Sequence, residues 1–230
     1  MTKHAINREA LTHDPQGILK QLRETAQSLG MTVLTEHEQE AMRKQLLKDM
    51  APQQDLWLFA YGSLIWNPTF HFVEARTGKL QGWHRDFCIH LPFMRGTPEK
   101  PGLMMGLQKG GDCVGRVYRI AKEAVAQESK LYFRREMNTD VYLPTWLKVD
   151  TAEGIVSAVA LITNTKSCRY QKIVSLYKKA TIIAQAEGFG GTNREYLFNT
   201  LASLEALNIS DPLLEKLAIR VRELLICERV

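Results

Sequence analysis

Leu56-Trp57-Leu58-Phe59-Ala60-Tyr61-Gly62-Ser63-Leu64-Ile65-Trp66 is the stretch on which the reading of this chain turns. It is an apolar, aromatic-rich run of strand length, broken by Gly62-Ser63 and resumed at once. A strand that stops on a glycine between two large apolar clusters brings its backbone close to something. With no Cβ at Gly62, the neighbouring N–H groups can turn outward together and hold an anion. On pattern alone a plain β-turn is the stronger reading of residues 61–64. Ser63 as a nucleophile on a sharp turn is the alternative. Gly-Ser-Leu lacks the second glycine of a Gly-x-Ser-x-Gly elbow, however, and spacing nominates no triad histidine.

Outward from this stretch the texture is that of short strands punctuated by glycine and proline. The pattern predicts strands at 56–60, 70–80, 84–91, 102–108, 113–120, 142–149 and 155–163. One helix interrupts them, from Lys122 to about Arg135, with Val125, Leu131 and Tyr132 as its apolar contribution. So many short strands around one crossover helix predict a closed or nearly closed sheet.

Both flanks read as helical. Asp14-Pro15 has the form of an N-cap and first-turn proline, with Gly30 as the stop. Thr35-Glu36-His37-Glu38 and Thr192-Asn193-Arg194-Glu195 have the form of capping boxes. A helix is predicted over 170–186, and Asp211-Pro212 opens the last one. Gly188, Gly190 and Gly191 read as a helix–helix turn. The expectation is an α+β fold, a mixed barrel-like sheet wrapped by helices. Residues 1–55 form a helical extension packed on a domain spanning 56–230.

Composition narrows the function. The 230 residues are 45% hydrophobic and 24% charged, ordinary globular usage. A net charge of +5 favours anionic partners. The basic runs, Arg134-Arg135 and Lys178-Lys179, are short and accompany no nucleic-acid signature. Cys88, Cys113, Cys168 and Cys227 form no Cys-x-x-Cys pair, which fits a reducing compartment. No run reaches the ~18 apolar residues of a membrane span, and residues 1–30 hold no signal-peptide core. The six histidines include no His-Glu-x-x-His, and no phosphate loop or dinucleotide fingerprint occurs. The expectations are a cytoplasmic protein, a monomer or weak dimer, with no metal, cofactor, nucleic-acid or membrane partner.

Tyr61-Gly62-Ser63-Leu64 resembles the Tyr-Gly-Ser-Leu signature of the γ-glutamylcyclotransferase superfamily, and its surroundings resemble the glutathione-degrading ChaC branch. Residues 57–66 are similar to that branch's opening strand and loop. Arg76, Gly78, Gly82 and Arg85 match a following hairpin, and residues 95–102 (Arg-Gly-Thr-Pro-Glu-Lys-Pro-Gly) match a further segment. Arg135-Glu136 stands where the family carries an Arg-Glu pair. Asn193, Glu195, Tyr196 and Leu197 match a late helix start. The likeness spans about residues 56–226. It departs at Ala60, Met94, Leu103 and Cys168-Arg169-Tyr170-Gln171, positions that bear on an outer pocket more than on the reaction.

The resemblance implies that glutathione is converted to 5-oxoproline and Cys-Gly. The substrate's own α-amine attacks its γ-carbonyl, so the protein supplies no nucleophile and orientation gives much of the acceleration. The resemblance assigns Glu136 the role of general base and acid. Taken alone, Glu136 reads as a solvated residue at a helix end. By the same resemblance the 58–64 loop (Leu58, Phe59, Ala60, Tyr61, Gly62, Ser63, Leu64) binds the substrate's α-carboxylate. Arg95 is a candidate for the substrate's other carboxylate, or else a salt-bridging residue. The rival functions are a cyclotransferase acting on another γ-glutamyl amine and a non-catalytic regulator of cation transport.

Overall fold

A computed structural model describes residues 6–13 and 17–227, and Asp14-Pro15 lies outside the described residues. The chain divides into two compact units. The first comprises residues 6–85 with 107–168, and the second comprises 86–106 with 169–227.

The barrel strands lie mostly in the first unit, with the end of β2 and the start of β3 in the second. Strand β1 (Leu56–Ala60) pairs antiparallel with β3 (Gly102–Ile120) and parallel with β5 (Gly154–Thr163). With β2 (Glu74–Leu91) and β4 (Tyr142–Thr151), these close a five-stranded barrel in the order β1-β3-β2-β4-β5. Leu56, Leu58, Phe59 and Ala60 are all buried. This explains why β1 reads as a continuous apolar run and not as an alternating one. Its end is clamped by a close backbone approach. A Cβ on Gly115 would stand 2.3 Å from the Ala60 carbonyl oxygen and 2.9 Å from the Phe59 ring.

Two expectations are corrected here. No hairpin turns at Gly82, and the expected pairs of short strands (70–80 with 84–91, and 102–108 with 113–120) are single long strands. Gly82 takes φ 76° within β2, so the chain bends there without leaving the sheet.

Helices α1 (Arg8–His13), α2 (Ile18–Ser28) and α3 (Glu36–Leu47) precede the barrel, and α4 (Val125–Glu136) interrupts its strands. The Thr35/Glu38 capping box forms and opens α3. These N-terminal helices grip α4. The Arg8 guanidinium donates to both oxygens of the buried Glu128 carboxylate, at 2.6 and 2.8 Å. Gln39 donates to the Met137 carbonyl at 2.9 Å, and Arg134 to the Leu11 carbonyl at 2.7 Å. Burial pushes the Glu128 carboxyl upward, but Arg8 and the His71 N–H more than offset it and hold the group below the usual carboxylate range.

The second unit carries α5 (Leu176–Gln185), a hairpin of β6 (Glu187–Gly188) and β7 (Gly191–Thr192), α6 (Asn193–Glu205) and α7 (Pro212–Cys227). The glycine segment 188–191 is therefore the corner of this hairpin. Helix α5 begins six residues later than expected. Tyr170 instead forms an antiparallel bridge with Ile89, with the Arg169 carbonyl accepting from His90 N–H and the Gln171 N–H donating to the Cys88 carbonyl. The Thr192/Glu195 capping box forms as predicted and opens α6. Among the described residues no helix is long and apolar enough to cross a membrane.

Asn193 is fully buried at the start of α6. It accepts from the Leu103 N–H and donates to the Leu103 carbonyl, both at 2.8 Å. Asn193→Ala would strand both backbone groups, so denaturant unfolding is expected to show a loss of about 3 kcal/mol.

Candidate functional site

The site builds up from the end of β1. The chain leaves the sheet at Tyr61 and enters a single 3-10 turn over Ser63–Ile65. The turn's own bonds run from the Ile65 N–H to Gly62 O at 2.9 Å and from the Trp66 N–H to Ser63 O at 3.3 Å. The N–H groups of Ser63 and Leu64 therefore take no part in it, because the first donors of a helical turn have no partner within it.

Side chains lock this turn from several directions. The buried Tyr61 hydroxyl donates to the Leu161 carbonyl on β5 at 2.7 Å. Arg85, 2% exposed on β2, donates to the Tyr61 carbonyl at 2.9 Å and also to the Val114 carbonyl. The Tyr118 hydroxyl on β3 lies 3.3 and 3.2 Å from the carbonyls of Leu64 and Ile65. Leu64, within the turn, is buried.

The last turn of α4 supplies the charged part. Arg135 donates through Nη2 to Ser63 Oγ at 3.2 Å, and through Nη1 to the Asn67 carbonyl and to Thr69 Oγ1. Its Nε pairs with Glu136 Oε1 at 3.0 Å, and the two side chains are 8% and 14% exposed. One guanidinium thus ties the Glu136 carboxylate to the turn that follows β1. A carboxylate so little exposed is harder to ionise. Burial pushes the Glu136 pKa above the usual carboxylate value, against the opposing pull of Arg135.

All eight residues singled out from the sequence, Leu58, Phe59, Ala60, Tyr61, Gly62, Ser63, Leu64 and Glu136, belong to this one unit. Leu58, Phe59 and Ala60 are the strand that carries the turn, with side chains in the core. Ser63 accepts from an arginine, which is no general base and so does not activate a nucleophile. Arg95, in the other unit, is 8% exposed. It donates to the Thr192 carbonyl at 2.6 Å and pairs with Glu195 at 3.2 Å, so it serves the α6 capping box as a salt-bridging residue.

Sequence reading missed the tyrosines Tyr118 and Tyr132 and the link from Arg135 to Ser63. No local pattern announces Tyr118 or the Arg135–Ser63 link, because those contacts join distant segments, and Tyr132 reads as an ordinary apolar helix residue. Arg135 alone had a signal, its place beside Glu136.

What the arrangement can do follows from these contacts. Two guanidiniums, Arg85 and Arg135, donate to carbonyl and hydroxyl oxygens around the turn, and Arg135 also pairs with Glu136. That carboxylate is nearly buried, and its pKa is raised above the usual carboxylate value. Such a pair suits an anionic ligand that must lose and regain a proton.

The model of the ChaC-like protein family matches residues 56–224 of this chain. The glutathione-specific γ-glutamylcyclotransferase of Escherichia coli (strain K12) is 42% identical over 171 residues, covering 74% of this chain and 74% of that protein. γ-Glutamylcyclotransferase 2-3 of Arabidopsis thaliana is 32% identical over 179 residues, covering 74% of this chain and 90% of its own length. The solved structure of the glutathione-specific γ-glutamyl cyclotransferase from yeast aligns with a TM-score of 0.67 at 20% identity. That alignment covers 75% of this chain and 100% of that one, a likeness of fold.

The Glu136 carboxylate has a distinct stability signature. Its folded pKa is raised, so its contribution to stability is full below the unfolded value and is lost as pH rises through the folded one. Glu136→Gln removes that loss. The variant is expected to unfold at higher denaturant than the native chain near about pH 8, with the difference gone by about pH 4.

Proposed function

The chain belongs to the ChaC-like family, and from that premise we propose that it degrades glutathione to 5-oxoproline and Cys-Gly by intramolecular cyclisation. The observation that carries the reading is the Arg135-Glu136 pair. A carboxylate 14% exposed, with its pKa raised, is tied by one guanidinium to the turn after β1.

The 58–64 loop cradles the substrate's α-carboxylate, with the N–H groups of Gly62, Ser63 and Leu64 as donors. Held there, the α-amine lies within reach of its own γ-carbonyl, and this proximity supplies much of the rate. Glu136 takes a proton from the α-ammonium. The freed amine attacks the γ-carbonyl carbon, and a five-membered ring forms as the new C–N bond is made. The bond to the cysteinyl nitrogen then breaks as that nitrogen receives the proton from Glu136. The ring nitrogen gives up its own surplus proton through the same carboxylate to the released amine, so the lactam keeps one N–H, Cys-Gly leaves as its ammonium and Glu136 returns to its ionised form. One group serves as base and acid because burial brings its pKa toward the working pH while Arg135 keeps the ionised form accessible.

The same reading makes 56–230 the catalytic domain and 1–55 an extension packed on it. It puts the protein in the cytoplasm, as a monomer or weak dimer, with no metal or cofactor.

Incubation of the purified protein with glutathione, in parallel with γ-glutamyl-alanine, is expected to yield 5-oxoproline from glutathione. No product from either would overturn the enzyme reading, and product from γ-glutamyl-alanine alone would overturn the substrate. Glu136→Gln is expected to retain the fold by circular dichroism and to lose at least about 100-fold in kcat. In the native protein, turnover should fall as pH drops through the Glu136 pKa. The acid limb of the rate profile would then lie above the ordinary carboxylate range, whereas a limb within that range would argue for a different base.

A further inference from the structure

Tyr132 lies in the middle of α4, fully buried, and its hydroxyl has no hydrogen-bond partner. Its ring is accounted for by packing. It meets Phe70 edge-on at 6.0 Å and Phe133 at 6.0 Å, and Phe70 in turn packs edge-on against Tyr118. Phenylalanine would make the same contacts and would bury no unpaired hydroxyl. Packing therefore explains the ring and leaves the oxygen unexplained.

Position along the helix supplies an explanation. Tyr132 and Glu136 are four residues apart on one face, and helical side chains lean toward the N-terminus. The Glu136 side chain therefore projects back over the turn that carries Tyr132. Both charges at the helix end, Glu136 and Arg135, act on the phenol. Burial and the Glu136 charge hold its pKa well above the ordinary tyrosine value, so it keeps its proton at neutral pH and is a donor only awaiting an acceptor. Among the described residues, the charge that acts on Glu136 in return is that of Arg135.

We propose that Tyr132 is a positioning residue for the reaction: its hydroxyl donates to the Glu136 carboxylate when that group turns from Arg135 toward the substrate's ammonium. The hydroxyl gives the carboxylate a second fixed point beside Arg135. It holds the oxygen that takes the proton and stabilises the ionised form while the substrate is bound. No proton leaves Tyr132; it orients the group that moves one. This rests on Glu136 being the acid–base residue.

Tyr132→Phe tests it. Expected are a kcat lower by about tenfold with KM nearly unchanged, the equivalent of one lost hydrogen bond to a charged group. The acid limb should also move to higher pH, because the carboxylate loses a donor that favours its charged form. Thermal stability should be equal to or above that of the native chain. A kcat and an acid limb both equal to native would overturn the proposal and leave Tyr132 as a core residue. Should Tyr132→Phe fail to fold, Tyr132→Met fills the space without a hydroxyl and carries the same expectations. A readout without turnover is the carboxyl-carbon NMR titration of Glu136, assigned by its loss in Glu136→Gln and recorded with a bound γ-glutamyl analogue that keeps the α-ammonium but cannot cyclise. Tyr132→Phe should raise its midpoint, and an unchanged midpoint would overturn the proposal. Native protein and Glu136→Gln are assayed alongside. An inactive native protein, or an active Glu136→Gln, faults the assignment of Glu136 and not the role of Tyr132 beside it.

Discussion

Everything at the candidate site depends on where the Arg135 guanidinium is spent. Its rigid fork reaches Ser63, Asn67 and Thr69 beyond β1 and, through Nε, the neighbouring Glu136. A lysine has one point charge and no fork, and it would not span those partners together. The contacts fix the turn and the carboxylate relative to each other, and they also set the carboxylate's charge. Burial alone would drive Glu136 toward the neutral acid. The adjacent guanidinium pulls it back, and the opposition leaves a group able to accept and return a proton.

This arrangement requires α4 to be held firmly, and much of the holding lies in the segment before the barrel. Arg8 clamps Glu128 at the first turn of α4, Gln39 caps the carbonyl of Met137 just past its end, and Arg134 reaches Leu11. Residues 1–55 lie outside the 56–224 family match, yet the bonds made by Arg8, Leu11 and Gln39 fall along the helix that ends in Arg135 and Glu136. Arg8 also donates to the Thr69 carbonyl, next to the Thr69 hydroxyl that Arg135 meets. The extension therefore supports both the helix and the loop that Arg135 joins.

Some of the fold was legible because its causes are local. The capping boxes at Thr35 and Thr192 satisfy helix donors within three residues of sequence, and both form. The run 56–60 declared itself as a strand by its apolar, aromatic-rich composition and its length. Other features were misread because distant pairing overrode the local signal. Gly82 looks like a turn but is a bend inside β2, since the strand is paired on either side of it. Residues 170–175 look helical but form no helix, because residues 169 and 171 bond to the end of β2.

The sequence alone determined the strand, the turn that ends it, the helix caps and the presence of an Arg-Glu pair at the end of a helix. Each follows from chemistry between residues a few positions apart. Only the tertiary structure decided that this carboxylate is nearly buried, that its arginine also holds the turn after β1, and that the Tyr132 hydroxyl lies unpaired one helical turn away. A pKa, a burial or a missing hydrogen bond is a property of surroundings. Those surroundings come from segments as much as 72 residues apart along the chain.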